Sequence, residues 1–511
     1  MTPLPPEYLD SNTPPDVIVT DTLRPPIEDS TLGEPLGPPS PDAPAVPAAP
    51  DHPLVTVGDS LTHGLISGAV FRTDLSWPAL VAECLSVPQF TFPRYGGPLG
   101  GLPLNFEGLL SRLQDKFGTD LNLLEKLELP VILQRLCDEN EDYWERGDGH
   151  QPPRVDVHYE NLGIYGWDVR DAISYTDARA AQRAGSSTHD DLAGAKPEND
   201  NDIAANSVLA PFGITATQVS AAAWHGNNGG IGTLVVALGA NNALGSVVTK
   251  KLHWSDVGFD DLDHKGDYNV WRPVHFAAEY GELVKALRPI PAQRVVLATV
   301  PHVTIAPIAK GVNPANPGQK WREGSRYFPY YTDPWIDERD FNPNKHRYLT
   351  HQQARAIDSA IDQFNDTITD AVRHARREGR DWRVLDLCGV LDGLGFRRFV
   401  NDSEAAARNN WQPVDLPAPI ADLDTRFFLS DKNGRQQGGL FGLDGVHPTT
   451  SGYGVIAQAV LDVLDGDGVP TTPIDFAALR RRDTLNTRPP ALLTAVLGLI
   501  TPFLTIFLSR R

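Results

Sequence analysis

The chain has 511 residues, and its contents of hydrophobic residues (41%) and charged residues (22%) are those of a globular protein with a large core. Its formal net charge of −20 argues against nucleic acid as a partner, because binding to phosphate backbones needs a positively charged surface. The three cysteines, Cys84, Cys137 and Cys388, are too few and too widely spaced for a disulfide framework.

The N-terminal segment is rich in proline and in acidic residues. Residues 1–50 contain 14 of the 44 prolines and eight acidic residues against one basic residue. Such a composition buries too little apolar surface to offset the entropy lost on ordering. We therefore predict a disordered arm over residues 1–52. It lacks the basic and apolar regions of a secretory signal peptide.

Residues 53–470 alternate between short β-rich runs and stretches with helical periodicity. This alternation predicts an α/β domain with a mostly parallel sheet and helices beside it. The predicted strands are Leu54–Val57, Val155–Tyr159, Thr233–Leu238, Arg294–Val300 and Arg383–Leu387, and the clearest predicted helices are 274–287, 351–378 and 449–464.

Three long insertions separate these units, at about 86–150, 176–207 and 311–350. The second is polar and is predicted to be a mobile loop. The third is rich in aromatic residues, which is compatible with a substrate lid and equally with an ordered loop whose rings pack on the body.

The first predicted strand leads into Gly58-Asp59-Ser60 and then into helix-like sequence. A serine there lies at the carboxyl edge of the sheet, where open α/β sheets place their sites, and the positive helix N-terminus favours an anionic intermediate. Two interpretations remain open on this motif alone: Ser60 is a nucleophile, or it caps the helix.

Two more segments follow predicted strands and offer hydrogen-bond donors. Asn161–Asp168 contains Gly166, whose backbone N–H is unobstructed by a side chain, and Leu238–Asn242 contains Asn241, whose amide also donates. Such donors at a strand end are suited to a developing oxyanion. Ordinary glycine and asparagine turns are the alternative.

Near the end of the domain, Asp444 and His447 stand three residues apart in Asp-Gly-Val-His-Pro. A carboxylate this close can accept the imidazole Nδ1–H, which leaves the other ring nitrogen to take a proton from a serine hydroxyl. A structural turn with a surface histidine is the alternative for this motif alone.

The C-terminal region divides into a predicted linker, 471–490, and an apolar segment, 491–508. The apolar segment has 18 residues without a charge, which is the lower limit for a membrane span. If it spans a bilayer, the arginines upstream place the main body in the cytoplasm. A helical hairpin that packs on the body is the alternative.

Taken together and in chain order, these motifs resemble the four sequence blocks of the GDSL or SGNH hydrolase family. The resemblance implies a flavodoxin-like three-layer sandwich with Ser60 as nucleophile and with Asp444 and His447 completing the triad. It also implies an oxyanion hole formed by Ser60, Gly166 and Asn241. The intervals between the blocks are longer than in compact members of the family, and Asn242 replaces the commoner aspartate, which puts a local structural hydrogen bond in doubt.

Three neighbouring residues are candidates for the pocket: Asp59, His63 and His302, although His63 also suits a helix surface. No histidine cluster has metal-ligand spacing, so neither a metal nor an organic cofactor is expected. The sequence thus predicts a serine esterase or lipase acting on small-molecule or lipid esters. An acyltransferase with the same residues is the first alternative, and an inactive membrane-tethered scaffold is the second.

Overall fold

The computed structural model describes residues 4–46, 52–87, 89–185, 196–395 and 415–499. Its strands are β1 (Leu54–Gly58), β2 (Leu65–Ile66), β3 (Ala69–Val70), β4 (Leu102–Pro103), β5 (Ile231–Ala237), β6 (Ala292–Ala298), β7 (Lys310–Val312), β8 (Tyr330–Thr332), β9 (Leu349–Thr350), β10 (Trp382–Leu385), β11 (Leu429–Asp431) and β12 (Gly434–Gln437). Its α-helices are α1 (Ser60–His63), α2 (Trp77–Cys84), α3 (Phe106–Phe117), α4 (Leu123–Glu145), α5 (Val169–Ser174), α6 (Asp177–Ala184), α7 (Asp200–Leu209), α8 (Gln218–Asn227), α9 (Asn241–Thr249), α10 (Pro273–Leu287), α11 (His351–Arg377), α12 (Leu387–Gly393), α13 (Thr450–Asp465), α14 (Phe476–Arg482) and α15 (Thr484–Thr487).

A parallel sheet with the strand order β1-β5-β6-β10 lies at the centre of the molecule. Alternate residues of each strand enter different cores: Val236 packs in one cluster with α8, α10 and α11, whereas Val235 packs in the other with α2, α12 and α13. A strand covered on both faces has no polar side, which is why successive positions such as 234–237 in β5 and 295–298 in β6 are all apolar and buried. The predicted α/β class with a parallel sheet flanked by helices is confirmed.

One predicted strand is wrong. Val155 is 66% exposed, and within the described residues 155–159 form no strand. Instead, residues 160–164 run beside β1: the Thr56 N–H donates to the Glu160 carbonyl at 2.9 Å, and the Ile164 N–H donates to the Gly58 carbonyl at 3.1 Å. A composition rich in β-forming residues does not by itself place a segment in a sheet, and 155–159 lies outside it. The next five residues, 160–164, are the ones that lie beside β1.

The three predicted helices are present as α10, α11 and α13. In α11 the Thr350 hydroxyl accepts from the Gln353 N–H, and the Gln353 side chain accepts from the Thr350 N–H, which forms a capping box. The helix ends before Gly379, whose φ of 73° suits glycine.

The N-terminal arm packs along α11, which differs from the predicted disorder. Tyr8 is only 3% exposed, with its ring 5.4 Å from that of Trp321 and 4.7 Å from the Arg355 guanidinium carbon. Arg355 Nε also donates to the Asp21 carboxylate at 2.8 Å, and the Ile18 N–H donates to the Gln363 side chain at 2.8 Å. These partners lie far along the chain, so the composition of the arm did not reveal them.

The three segments that the sequence predicts to be insertions carry secondary structure of their own. The region 86–150 contains β4, α3 and α4, and the predicted mobile loop 176–207 contains α6 and most of α7. Residues 186–195 of that loop lie outside the described residues. In 311–350, β7, β8 and β9 form a small antiparallel sheet, and rings such as Tyr327 (0% exposed) pack into the core. The aromatic residues described there act as a covering layer.

The predicted linker 471–490 is packed rather than extended. It contains α14 and α15, whose Leu479 and Leu485 are buried. The apolar segment continues as helical residues 493–499, where Leu493 and Val496 pack against α3 and α4. In the described part of the chain, no helix combines the length and the apolar character that crossing a bilayer requires. The remainder of 491–508, from 500 onward, lies outside the described residues.

Candidate active site

Ser60 lies where the first strand turns into a helix. β1 ends at Gly58, α1 begins at Ser60, and Ser60 is 6% exposed. The Asp59 carboxylate accepts the Leu61 N–H at 3.0 Å and thereby caps the helix. A Cβ on Gly58 would lie 2.0 Å from Thr62 Oγ1, so only glycine fits where the chain turns. Asp59 therefore provides the cap, and the Ser60 side chain has a different role.

The Asp444 carboxylate closes the turn that carries His447. Its Oδ1 accepts the backbone N–H groups of Val446 (2.8 Å) and His447 (2.9 Å). Its Oδ2 contacts His447 Nδ1 at 3.0 Å and accepts the Gly68 N–H at 2.9 Å. Burial alone raises the pKa of Asp444, but the adjacent His447 ring and the donated N–H groups hold this pKa below its ordinary value. Asp444 is therefore an ionised partner for the imidazole.

The His447 ring joins this turn to Ser60. His447 Nε2 lies 2.8 Å from Ser60 Oγ, across 387 residues of sequence. Because Nδ1 faces an ionised carboxylate, it carries the ring proton, and Nε2 accepts from the serine hydroxyl. The three side chains form one hydrogen-bonded chain, in which Asp444 is fully buried and His447 is 6% exposed. This arrangement can remove a proton from Ser60 as it attacks an electrophile.

A tight turn between β2 and β3 supports Asp444 and was missed by the sequence analysis. Ser67 and Gly68 both have positive φ, +49° and +86°, and Gly68 provides the N–H that reaches Asp444. Ser67 Oγ accepts the Leu443 N–H at 3.1 Å and donates to the Glu107 carboxylate at 2.8 Å. The Ser-Gly pair is a recognisable turn signal, but nothing local to it indicates a partner in the last quarter of the chain.

Two hydrogen bonds place the segments that contain Gly166 and Asn241 in one region beside α1. Asn161 Nδ2 donates to the Thr62 carbonyl at 2.9 Å, so this segment lies against α1. Asn241 Nδ2 donates at 2.8 Å to the carbonyl of Trp167, the residue after Gly166. Gly166 has a φ of +77°, and a Cβ there would lie 2.2 Å from Asn201 Nδ2, so another residue would be strained and crowded.

Asn242 forms a hydrogen bond between two segments of the chain. It is fully buried at the start of α9, and its Oδ1 accepts the Val169 N–H at 3.4 Å. An amide oxygen is an acceptor, as a carboxylate oxygen would be at this position. The link between the two segments is therefore present with asparagine.

His63 is neither a helix-surface residue nor a lining residue of the cavity at Ser60. It is fully buried, and desolvation lowers its pKa to about 3, so the ring is neutral. Nδ1 accepts the Tyr165 N–H at 3.3 Å, and Nε2 lies 3.2 Å from the Tyr95 hydroxyl. Each ring nitrogen therefore forms a hydrogen bond that links α1 to a neighbouring segment, one through Tyr165 and the other through Tyr95.

His302 lies beside the site, but its ring nitrogens face carboxylates. Nδ1 is 2.7 Å from Asp392 and Nε2 is 3.4 Å from Asp362, with all three residues buried. Burial opposes protonation, but Asp392 and the other acidic neighbours outweigh it and raise the pKa of His302 well above its ordinary value. A protonated ring cannot serve as a base for Ser60.

One group of side chains has the donors of a metal site. His302 Nδ1, Cys388 Sγ and an Asp392 carboxylate oxygen lie within 4.8 Å of one another, and imidazole, thiolate and carboxylate are all zinc ligands. An ion would have to displace the hydrogen bond between His302 and Asp392. Cys388 and Asp392 are 86 and 90 residues from His302, so short-range spacing could not reveal this group.

No family profile matches the chain, and no curated protein or solved structure matches it. The class of this protein therefore rests on its own structure. A parallel sheet flanked by helices carries, beside the end of its first strand, a serine hydrogen-bonded to a histidine, which is hydrogen-bonded in turn to an aspartate.

Proposed function

We propose that this protein is a serine hydrolase of the GDSL or SGNH type that cleaves carboxylic esters through an acyl-enzyme intermediate. The observation that carries the proposal is the chain Ser60 Oγ, His447 Nε2, His447 Nδ1, Asp444 Oδ2, with steps of 2.8 Å and 3.0 Å between residues. A histidine that is itself hydrogen-bonded to a carboxylate is the partner that activates a serine hydroxyl as a nucleophile.

The strand order supports the family proposal. Counting the irregular segment 160–164 beside β1, the parallel segments lie in the spatial order 160–164, β1, β5, β6 and β10. In chain order this is 2-1-3-4-5, the order of flavodoxin-like sheets. We accordingly propose a flavodoxin-like three-layer sandwich as the architecture, with Ser60 at the carboxyl edge of its sheet.

The mechanism begins when His447 Nε2 accepts the Ser60 proton as Oγ attacks the ester carbonyl. The ionised Asp444 stabilises the resulting imidazolium and keeps its ring oriented. His447 then donates the proton to the leaving alcohol. A water molecule, activated by the same nitrogen, attacks the acyl-serine and releases the acid.

The proposed oxyanion donors are the N–H groups of Ser60 and Gly166 and the side chain of Asn241. The start of α1 orients the first of these, and the hydrogen bond from Asn241 Nδ2 to Trp167 holds the other two segments together. Donors held in place before the reaction stabilise the developing charge without reorganisation.

The test is hydrolysis of p-nitrophenyl esters from acetate to palmitate by the wild type and by Ser60→Ala. We expect Ser60→Ala to lower kcat/KM by about 10⁴-fold or more, because the nucleophile is lost. Ser220→Ala, which removes an exposed serine on α8, is the matched control and should retain activity. A fluorophosphonate probe should also phosphonylate Ser60 with loss of fluoride, so the peptide that contains Ser60 should gain the mass of the phosphonyl group.

The proposal fails if the folded wild type hydrolyses none of these esters and is not labelled. Hydrolysis that persists in Ser60→Ala would place the activity elsewhere. Transfer of the acyl group to an added alcohol in preference to water would identify the acyltransferase alternative.

A further inference from the structure

A small apolar cavity opens beside Ser60 and His447, with a volume of about 50 Å³. Apart from Ser60, His447 and His302, its walls are aliphatic or aromatic, including Leu61, Leu244, Ile305, Leu391, Phe441 and Val446. Both nitrogens of His302 face carboxylates outside this lining set, Asp392 and Asp362. The described lining therefore holds no carboxylate or ammonium group, and the charge of its protonated His302 ring is balanced by those two carboxylates, so the cavity suits a hydrocarbon chain.

The cavity begins at the atom that would attack the ester. Ser60 Oγ forms a bond to the carbonyl carbon, which carries both the acyl chain and the alkoxy group. Of these two, the acyl chain stays bonded to Ser60 after the alcohol has left, so it is the part assigned to a cavity that begins at Ser60. Each methylene buried there would strengthen binding about fourfold, because apolar surface is removed from water. A charged or strongly hydrated acyl group would lose its hydration without finding a partner.

The volume sets a limit on chain length. A cavity of about 150 Å³ is large enough to hold one benzene molecule, which has six heavy atoms. By that comparison a cavity of about 50 Å³ has room for about two to three heavy atoms beyond the reacting carbonyl. A long acyl chain would have to leave most of its methylenes outside.

We infer that the substrate of this site is an ester of a short, uncharged acyl group, from acetyl to about butanoyl, and that the protein is a short-chain esterase rather than a lipase. This inference rests on the proposed esterase function. It specifies the acyl side of the substrate.

The experiment measures kcat/KM of the full-length protein for p-nitrophenyl acetate, butyrate, hexanoate, octanoate and palmitate. We expect the maximum at acetate or butyrate and at least a tenfold lower value for octanoate, since a pocket that excludes methylenes discriminates by about 10-fold or more. Ser60→Ala is run in parallel, so that only serine-dependent turnover is counted.

Two variants test whether this cavity sets the limit. Leu244→Ala removes a half-buried side chain from the wall and should raise the octanoate-to-butyrate ratio at least about fivefold. Ala306→Val narrows the cavity and should lower the butyrate-to-acetate ratio. Leu252→Ala is the control: this half-buried leucine packs on the same core as Leu244 but does not line the cavity, so the ratios should stay unchanged.

The outcomes separate the two proposals. Serine-dependent hydrolysis with its maximum at octanoate or palmitate would overturn the short-chain inference and leave the esterase intact. Ratios that neither Leu244→Ala nor Ala306→Val changes would show that another surface binds the acyl group, which also overturns the inference. No serine-dependent hydrolysis of any ester would overturn the proposed function itself.

Discussion

Asp444 has two roles, and each of its two carboxylate oxygens performs one of them. Oδ1 accepts two N–H groups of its own turn and thereby shapes the loop, whereas Oδ2 faces His447 Nδ1 and the Gly68 N–H. A buried acceptor surrounded by donors cannot be replaced by a group that itself donates without losing bonds. The orientation of the imidazole therefore depends on a carboxylate at this position.

Asp444→Asn tests this role. The amide oxygen is expected to take the Oδ1 position, which leaves the amide NH₂ facing His447 Nδ1. The ring must then accept at Nδ1 and carry its proton on Nε2, so it cannot remove the Ser60 proton. We expect kcat for ester hydrolysis to fall by about 10³- to 10⁴-fold, measured at saturating butyrate ester.

Thermal unfolding of Asp444→Asn serves as its control, since a loss of activity is informative only if the variant melts as a folded protein. An activity within tenfold of the wild type would contradict the orienting role of Asp444.

Among the structural elements, α11 makes a set of contacts that the sequence did not predict. One side of this helix packs on the sheet through Ile361, Phe364 and Ile368, while Arg355 and Gln363 bind the N-terminal arm. Arg355 is fully buried and contacts Asp21 and the Tyr8 ring. The arm therefore completes the environment of a buried cation, which would otherwise be costly.

Tyr8→Ala measures what the arm contributes. Removing this buried ring should lower the free energy of unfolding by about 3 kcal/mol, because it leaves a cavity and deprives Arg355 of one of its aromatic partners. Urea unfolding followed by circular dichroism gives the value. Leu36→Ala in the same arm, at a side chain that is 51% exposed, should change it by less than about 0.5 kcal/mol. Equal small effects of both variants would mean that the arm packs without stabilising the body.

Across the whole molecule, Glu107 links three distant parts of the chain. Its carboxylate accepts the Ser67 hydroxyl at 2.8 Å and the Thr484 hydroxyl at 3.1 Å, and thus joins α3 to the turn behind Asp444 and to α15. Burial is the main cause that raises the pKa of Glu107 from 4.5 to about 7. The hydrogen bond from Ser67 opposes the rise, nearby Asp483 adds to it, and Thr484 and Arg72 oppose it to a smaller extent.

This pKa has a consequence for stability. Between pH 4.5 and about 7 the folded state holds a proton on Glu107 that the unfolded state has lost. The folded state therefore binds more protons, and the contribution of Glu107 to the free energy of unfolding falls as pH rises through this window.

Glu107→Gln should flatten that dependence and stabilise the protein more at pH 8 than at pH 5, relative to the wild type. The neutral amide resembles the protonated acid, and the Thr484 hydroxyl can rotate to accept from it. Glu128→Gln, at a side chain that is 49% exposed, is the control and should leave the pH profile unchanged. An identical profile for wild type and Glu107→Gln would contradict the raised pKa.

Local sequence was enough to predict most strands of the central sheet, the three clearest helices and the turn that contains Asp444 and His447. Strand runs, helical periodicity, caps and tight turns arise from contacts within a few residues, and the residues that make those contacts are neighbours in the sequence.

Tertiary structure alone decided the remaining features of the fold and the site. The 2.8 Å contact between Ser60 and His447 spans 387 residues, and the burial of Tyr8 depends on Arg355 and Trp321. The donor group of His302, Cys388 and Asp392 likewise forms only when two strand ends meet. Such contacts depend on how whole elements pack, and composition or spacing within one segment carries no information about a partner hundreds of residues away.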